Sequence, residues 1–286
     1  MAAYALADLR RATERLWPAA LAEEWDRVGL VTGRDDARVE RVLLAVDAVA
    51  TTVDEALEWR ADALVTHHPL LLRGIHTLAE DTSKGALLAR LIRGGCALIA
   101  AHTNADQPVG GVSDVLANRL GLVEAVPIVP VDPASPVGIG RVGVLPASES
   151  LRAFAERVSR TLPATVSGVR VAGQPEREVR RIALLGGAGD SLLDHPLVRG
   201  ADVYLTSDLR HHPAQESLEL AAAAGGPALI DVAHWASESL WLEHAAAQLA
   251  ELLPGVSFRV SETRTDPWTF SVGAAQDLRA APEPAR

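Results

Sequence analysis

Short apolar runs alternate with segments of helical periodicity along the first hundred residues. Residues 5–17 carry apolar side chains at helical spacing and precede Pro18, which predicts an amphipathic helix. Three continuous apolar runs further on predict buried strands, and the segments between them have the periodicity of helices. The strands are predicted at 41–47, 61–66 and 96–101 and the helices at 51–60 and 84–93. This β-α-β order predicts an α/β fold with a parallel sheet.

The same pattern returns 140 residues further along the chain. The matching residues are Arg41, Leu44, Ala61, Asp62 and Thr66 with Arg181, Leu184, Ala201, Asp202 and Thr206. A third predicted strand recurs as well, with residues 97–99 repeated at 228–230. Gene duplication would produce two related α/β lobes in this way, and the alternative is chance similarity between apolar segments.

Changes in composition predict the boundaries of these lobes. A proline-rich run at 127–136 is typical of an exposed connection, and residues from 275 onward lack periodicity. We predict an N-terminal lobe at 1–126 and a connecting segment at 127–180 with short strands and one helix. A second lobe at 181–270 and a disordered tail at 271–286 complete the prediction.

The amino-acid composition limits the kinds of molecule that we expect this protein to bind. The formal net charge of −10 disfavours binding to nucleic acid and favours binding of cations. The single cysteine, Cys96, can form no intrachain disulfide, which fits a reducing compartment. Residues 1–20 lack the apolar core of a signal peptide, and no run approaches the ~18 apolar residues of a membrane span. We therefore expect a cytoplasmic protein with neither a membrane nor a nucleic-acid partner.

Two adjacent histidines, His67 and His68, directly follow the second predicted strand. Open α/β sheets bind ligands at the carboxyl ends of their strands. Pro69 ends the strand, so both imidazoles can turn toward one concavity and reach two different metal ions. The alternative is a hydrogen-bonding histidine at the strand end beside an exposed one.

Two further histidines each precede a carboxylate by four residues, the spacing that places both side chains on one face of a helical turn. These pairs are His102 with Asp106 and His234 with Glu238. A mixture of imidazole and carboxylate suits zinc, manganese, iron or cobalt, and a carboxylate can bridge two such ions. The sequence therefore predicts a metal site built from His67, His68, Asp106, His234 and Glu238.

Other polar residues near the predicted strand ends have open roles. Asp208, His211, His212, Asp231 and His102 are candidates to orient metal ligands or to act as acid or base. Surface positions are equally compatible with His211 and His212. The glycine-rich segment 186–190 can form either an anion-binding turn or a tight strand-to-helix turn, and it lacks the signature of a phosphate loop.

Seven motifs occur in the order of a known family. They are EEWDRVGLVTG, VTHHPLL, AHTNADQPVGGVSDVLANRLGL, GRVGVLP, LLGGAGDSLL, ADVYLTSDLRHH and IDVAHWASE. On these motifs residues 5–270 resemble the Nif-three-like family of dinuclear metal-centre proteins, often labelled GTP cyclohydrolase 1 type 2 homologues. Trp235 departs from the tyrosine that often follows the motif histidine. Residues 107–180 are too few for the domain inserted in larger relatives, so the chain resembles the compact form.

The resemblance implies a Nif-three-like fold of two related, interleaved α/β lobes in a toroidal homo-hexamer. It also implies two divalent metal ions per chain, of unknown identity among zinc, iron, manganese and cobalt. By position, the ligands that it implies are His67, His68, Asp106, His234 and Glu238.

The resulting hypothesis is a metal-dependent hydrolase that acts on a small nucleotide such as GTP with a metal-bridging water. Glu238 or His102 would then transfer protons. No motif specific for guanine is evident, so hydrolysis of a phosphoester is an alternative. A non-enzymatic scaffold or metal-delivery assembly would need the same ligands, and a purely structural metal site is a further alternative.

Overall fold

The computed structural model describes residues 4–272, so most of the predicted tail at 271–286 lies outside the described residues. Within this range the strands are β1 Tyr4–Ala5, β2 Gly29–Thr32, β3 Arg38–Val39, β4 Arg41–Ala45, β5 Ala63–Thr66, β6 Ala97–Ala100, β7 Val123–Val126, β8 Val129–Pro130, β9 Gly138–Ile139, β10 Arg141–Ser150, β11 Val169–Ala172, β12 Glu178–Ala188, β13 Val203–Ser207, β14 Ala228–Val232 and β15 Ser257–Val260. The helices are α1 Leu6–Leu16, α2 Ala50–Glu58, α3 Ser83–Arg93, α4 Thr103–Asp106, α5 Val112–Arg119, α6 Leu151–Thr161, α7 Pro196–Arg199, α8 His211–Ala224, α9 His234–Ser239 and α10 Trp241–Leu252. Among the described residues, no helix is long and apolar enough to cross a bilayer.

Local sequence signals explain where several helices begin and end. The Thr82 hydroxyl accepts a hydrogen bond from the N–H of Gly85 and caps α3, and Ser150 caps α6 in the same way. Gly95, with φ of +69°, follows α3 in the left-handed conformation that glycine adopts readily. The ends of α3 lie within one residue of the helix predicted at 84–93.

The chain forms two compact units, and each contains one large sheet. Unit 1 comprises residues 4–116, 129–140 and 238–265 of the described part of the chain. Its sheet has the order β15-β4-β5-β6-β2, in which β2 alone is antiparallel to its neighbour. All four residues of β5 are buried, as expected for the centre of a parallel sheet. Helices α2 and α3 pack on this sheet through Val53, Leu87 and Leu91.

Among the described residues, unit 2 comprises 117–128, 141–237 and 266–272. Its sheet has the order β11-β14-β13-β12-β10-β7, with β12, β13 and β14 parallel and the flanking strands antiparallel. The unit boundaries differ from the predicted lobes 1–126 and 181–270 and the predicted connection 127–180. The difference arises because β10 and β11, predicted within the connection, flank the parallel strands of the unit 2 sheet, whereas β15, predicted within the second lobe, is an edge strand of the unit 1 sheet.

The parallel strands β4–β6, here the first core, and β12–β14, here the second core, share one backbone device. In the first core, the Asp62 carboxylate accepts hydrogen bonds from the N–H of Arg41, at 2.8 Å, and of the preceding residue, at 2.7 Å. In the second core, Asp202 accepts from Arg181, at 2.8 Å, and from the residue before it, at 2.9 Å. Because the same side chain performs the same bonding at the same offset, the structure supports duplication over chance similarity.

Candidate metal centre

His67 and His68 directly follow β5, and their backbone N–H groups continue the hydrogen bonding of that strand to the neighbouring chain segment. The N–H of His67 donates to Ala45 O at 3.1 Å, and that of His68 donates to Val46 O at 2.8 Å. Their ring centroids lie 5.1 Å apart. The ladder therefore fixes the backbone of both residues at the carboxyl edge of the unit 1 sheet.

An oxygen acceptor orients each of these two imidazoles. His67 Nδ1 donates to the carbonyl oxygen of Ala101 at 2.9 Å, and His68 Nδ1 donates to Asp47 Oδ1 at 2.7 Å. Since a carbonyl or carboxylate oxygen can only accept, Nδ1 carries the proton in both rings. In the neutral imidazole the Nε2 lone pair is then available to a metal ion, as is usual for metal-binding histidines.

His102, which follows β6, has the same arrangement. Its Nδ1 donates to Asp26 Oδ1 at 2.8 Å, and its ring centroid lies 5.2 Å from that of His67 and 5.5 Å from that of His68. Possible ligand atoms of the three histidines all lie within 4.8 Å of one another. The structure thus brings His102 beside the predicted ligands.

Asp26 is held as a carboxylate by several donors. Its side chain accepts hydrogen bonds from His102, from the N–H and hydroxyl of Thr103, and from the N–H of Arg27. Burial by itself would raise the pKa of Asp26, but the bonds from His102 and Thr103 outweigh it and lower that pKa. A permanently ionised Asp26 keeps the His102 proton on Nδ1.

Two carboxylates face the imidazoles. Glu238 Oε1 lies 3.4 Å from His67 Nε2, and Glu238 Oε2 lies 3.0 Å from His68 Nε2. Asp106 Oδ1 lies 3.7 Å from His67 Nε2. Glu238 is only 3% exposed. Its two oxygens therefore contact different histidines from a buried position.

The electrostatics of this cluster favour positive charge. Burial lowers the pKa of His67, but the carboxylates of Glu238 and Asp106 raise it by more. For His68, Glu238 and Asp47 likewise outweigh burial and raise the pKa well above its usual value. Burial, together with the nearby charge of Glu238, raises the pKa of Asp106. A divalent cation bound here would balance the negative charge of these carboxylates, which protons on the histidines balance in its absence.

The donor atoms of this cluster are of the types that bind metal ions. His67 Nε2 and Asp106 Oδ1 are buried polar atoms without a hydrogen-bond partner among the described residues. Buried polar atoms are normally paired, and an ion is one of the usual reasons for an exception. Imidazole nitrogen with carboxylate oxygen is a suitable ligand set for zinc, iron, manganese or cobalt.

His234 begins α9 in unit 2, and its Nδ1 donates to Asp208 Oδ2 at 2.7 Å. Asp208 has a φ of +57°, an uncommon conformation for a residue other than glycine. Glu238 follows four residues later on the same helix, so the two side chains share a helical face. This confirms the predicted helical spacing and gives Asp208 the orienting role that was one of its alternatives.

The other residues whose roles the sequence left undecided are His211, His212 and Asp231. His211 and His212 are exposed at the start of α8, and their rings contact each other. Asp231 accepts hydrogen bonds from the Arg170 guanidinium and from the N–H of Leu209. These contacts give Asp231 a structural role in unit 2.

The glycine-rich segment extends β12 instead of opening a long helix. Strand β12 runs to Ala188, and only a 3-10 turn at Asp190–Leu192 follows. The N–H of Gly187 donates to Ser237 Oγ at 2.9 Å. Since this amide already has a partner inside unit 2, the anion-binding interpretation gains no support.

Asp47 and Asp26 are the residues that sequence reasoning missed at this site. Asp47 follows β4, the strand adjacent to β5, and this position at the carboxyl edge was the available signal. No local pattern links Asp26 to His102, which lies 76 residues away.

Two indoles lie beside different histidines of the cluster. Trp241 is buried and its ring centroid lies 5.5 Å from that of His67. Trp25 is 56% exposed, and its ring centroid lies 5.8 Å from that of His102. The cluster thus has an apolar inner contact and an exposed aromatic surface beside His102.

Comparison with known proteins gives consistent similarities. The model of the Duf34/NIF3 (NGG1p interacting factor 3) family matches residues 4–267. A Streptomyces coelicolor protein named GTP cyclohydrolase 1 type 2 homolog is 49% identical over 287 positions, covering 98% of this chain and 99% of the relative. A Mycobacterium leprae protein of the same name is 35% identical over 380 positions, covering 96% and 97%. Because 380 exceeds the 286 residues of this chain, that relative contains additional residues, as expected for a compact form here.

Solved structures agree in fold. A Bacillus cereus protein related to NIF3 superposes with a TM-score of 0.82 at 25% identity, covering 92% of this chain and 98% of that one. A Staphylococcus aureus hypothetical protein gives a TM-score of 0.83 at 27% identity, covering 93% and 99%. The predicted α/β fold of the Nif-three-like kind is thereby confirmed.

Proposed function

The chain belongs to the Duf34/NIF3 family, and we propose that it is a metal-dependent hydrolase that holds two divalent cations. The observation that carries the proposal is the common orientation of the histidines in unit 1. His67, His68 and His102 each donate from Nδ1 to an oxygen, and these rings meet beside the buried carboxylate of Glu238. A metal-binding histidine normally donates its other ring N–H to a carboxylate or carbonyl oxygen in this way.

His67, His68, Asp106 and Glu238 would hold the ions, together with His234 from the same helical face as Glu238. When bound, such cations supply Lewis acidity and lower the pKa of water toward neutrality. Glu238 would hold them through a carboxylate whose two oxygens contact different imidazoles, at 3.4 and 3.0 Å. The metal identity stays open among zinc, iron, manganese and cobalt.

His102 and Glu238 are the residues proposed to move protons. Asp26 keeps the Nδ1 proton of His102 in place, so Nε2 is the atom that accepts a proton and later returns it. An ionised Asp26 also stabilises the imidazolium that forms. Asp26 is therefore a positioning residue, and His102 acts by itself or in alternation with Glu238.

The proposed substrate is GTP, the nucleotide that appears in the names of the Streptomyces coelicolor and Mycobacterium leprae relatives. The reaction would be hydrolytic opening of the imidazole ring of guanine, with loss of carbon eight as formate. The exposed indole of Trp25 supports a planar substrate because a flat aromatic face beside His102 can stack on a purine. Removal of this ring by Trp25→Ala should raise KM more than it lowers kcat.

Elemental analysis followed by a GTP ring-opening assay tests the proposal. Metal-replete protein should contain two ions per chain and release formate, and His68→Ala and Glu238→Ala should lose both properties. Two ions without turnover of GTP would overturn the cyclohydrolase assignment and favour a phosphoester substrate or a metal-delivery role. Absence of bound metal in protein purified without chelators and then supplied with each ion would overturn the metal centre itself.

The variant His102→Ala separates proton transfer from metal binding. If His102 moves protons, the variant keeps both ions and KM but loses kcat and the dependence of kcat on the ionisation of a histidine. If it loses an ion instead, His102 is a ligand and the proton role passes to Glu238. His212→Ala, which removes an exposed histidine, is the matched control.

Assembly and location complete the proposal. We propose a cytoplasmic homo-hexamer, in line with the single cysteine and the resemblance of the chain to ring-forming proteins. Light scattering on the purified protein should give six times the mass of 30.2 kDa. A monomer or dimer across the micromolar range would contradict it.

A further inference from the structure

A cleft lies at the amino-terminal edge of the unit 1 sheet, away from the candidate metal centre. Its volume is about 550 Å³, within the range of small-molecule sites. Arg41, Arg60, Arg90 and Arg93 line it, together with Asp62. Arg41 is the first residue of β4, and the candidate ligands His67 and His68 follow the opposite end of the adjacent strand β5. Strands of four or five residues separate the two edges by roughly 13–17 Å.

The four guanidinium groups differ in whether a carboxylate neutralises them. Arg93 forms hydrogen bonds to Glu80, and Arg90 forms an ion pair with a carboxylate of α2. Arg41 and Arg60 have no such side-chain partner among residues 4–272, and Arg41 Nε is buried without a hydrogen bond. In a chain of net charge −10, two unneutralised guanidiniums in one cleft mark a site with positive potential.

The acidic residue of the cleft does not neutralise these groups through contact. Asp62 directs Oδ2 at the N–H of Arg41 and of the residue before it, the backbone device shared with the second core. Arg60 itself has a φ of +55° just beyond α2, where glycine is the usual residue. The chain thus holds an arginine in an unfavourable conformation at the rim of this cleft.

The second core provides an internal comparison. It retains the Arg41 and Asp62 pair as Arg181 and Asp202, but at the same offset of 140 Arg60 is replaced by Gly200. The glycine pair at 94–95 recurs at 225–226, an offset of 131, and at that offset alanines replace both Arg90 and Arg93. The second core folds with the same parallel strand order, so the three additional arginines are not required by the frame.

We propose that this cleft binds the phosphoryl groups of a small phosphorylated molecule through Arg41 and Arg60, with Arg90 and Arg93 as further guanidinium groups that line it. Guanidinium groups pair with phosphate oxygens through two parallel hydrogen bonds, and several charges at one site favour a polyanion over a single carboxylate. The site is distinct from the proposed hydrolase centre. Its ligand should therefore bind whether or not metal is present.

Calorimetric titration of the full-length, metal-free protein with pyrophosphate tests the proposal. Chelation removes the metal ions to which pyrophosphate could otherwise bind. The wild type should bind one pyrophosphate per chain, more tightly than inorganic phosphate and with an affinity that falls as salt rises. Absence of saturable binding would overturn the proposal and leave the metal analysis of the hydrolase proposal unaffected.

The variant Arg60→Gly is the sharpest change because it installs the residue of the second core. It removes one guanidinium and relieves the left-handed conformation, so stability should stay equal or rise while pyrophosphate affinity falls about tenfold. The combined change Arg60→Gly, Arg90→Ala and Arg93→Ala should abolish binding. Arg34→Gln, which removes an exposed arginine outside the cleft, is the control and should bind as the wild type does. Wild-type affinity in the combined variant would refute the proposal.

Discussion

The first and second parallel cores are alike in their backbone frame and differ in the residues at the carboxyl ends of their strands. Asp62 and Asp202 cap the same backbone positions in each. Directly after the central strand, however, the first core has His67 and His68, whereas the second has Ser207 and Asp208 at the same offset.

This difference separates the two cores by chemical role. In the first core the strand ends place imidazoles beside carboxylates. In the second, Ser207 contacts Ser237 at 3.2 Å and Asp208 orients His234. Duplication of a stable frame therefore leaves the residues that follow the strands free to diverge, because the sheet does not depend on them for its core.

The largest effect is expected from removing Glu238. In Glu238→Ala, His67 and His68 lose the buried carboxylate that both contact, so the protein should retain no bound metal and no hydrolase activity. Elemental analysis of the purified variant measures this. Glu251→Ala, a change at an exposed glutamate of α10, should keep both properties. Full metal content in Glu238→Ala would remove Glu238 from the ligand set.

Substituting a carboxylate that orients a histidine should reduce metal binding less than removing a metal ligand does. Asp47→Asn and Asp208→Asn leave His68 and His234 in place but weaken the acceptors of their Nδ1 protons, so metal affinity should fall about 10–100-fold. Titration with a competing chelator measures this for each variant. If Asp47→Asn weakens binding and Asp208→Asn does not, His234 is not a ligand.

Removing the aspartate that caps the backbone should destabilise the protein equally in both cores. Asp62→Ala and Asp202→Ala each leave two backbone N–H groups without their acceptor, which should lower the free energy of unfolding by about 1–2 kcal/mol. Urea denaturation measures this, and Asp36→Ala at an exposed position is the control. A large effect in only one core would show that the frames are not energetically equivalent.

The smallest effect concerns Cys96, which precedes β6 in the first core and aligns with Pro227 in the second. Burial raises the pKa of the Cys96 thiol from 9.0 to about 12. The neutral thiol should resist alkylation at pH 8 in the folded protein and react only after unfolding.

The sign of the linked pH effect follows from the raised pKa. Below pH 9 the thiol is neutral in both states, so its contribution to stability is fully present. Between pH 9 and 12 only the unfolded state ionises, and stability declines. Cys96→Ala should remove that part of the decline, and rapid labelling of native protein at pH 8 would contradict the assigned burial.

Local pattern was sufficient to predict most of the fold. Apolar runs and helical spacing located β4 to β6, α2 and α3 within a few residues, because buried parallel strands need continuous apolar sequence. The unit boundaries were harder to predict, since β10, β11 and β15 join their sheets through pairings distant in sequence.

At the candidate site, sequence position identified the residues that the structure gathers in unit 1. His67, His68 and Asp106 lie together with Glu238, and the binding of metal by them stays a prediction. His102 was predicted to contribute, but its place beside the ligands was not.

The sequence by itself determined the order of strands and helices, the repeated frame and the residue types available for metal chemistry. These properties depend on local periodicity and composition, which neighbouring residues encode. Only the tertiary structure decided which nitrogen of each histidine is available, since Asp26, Asp47 and the Ala101 carbonyl reach their imidazoles across 76, 21 and 34 residues. A hydrogen bond between such distant residues depends on how strands are paired, and no local pattern specifies it.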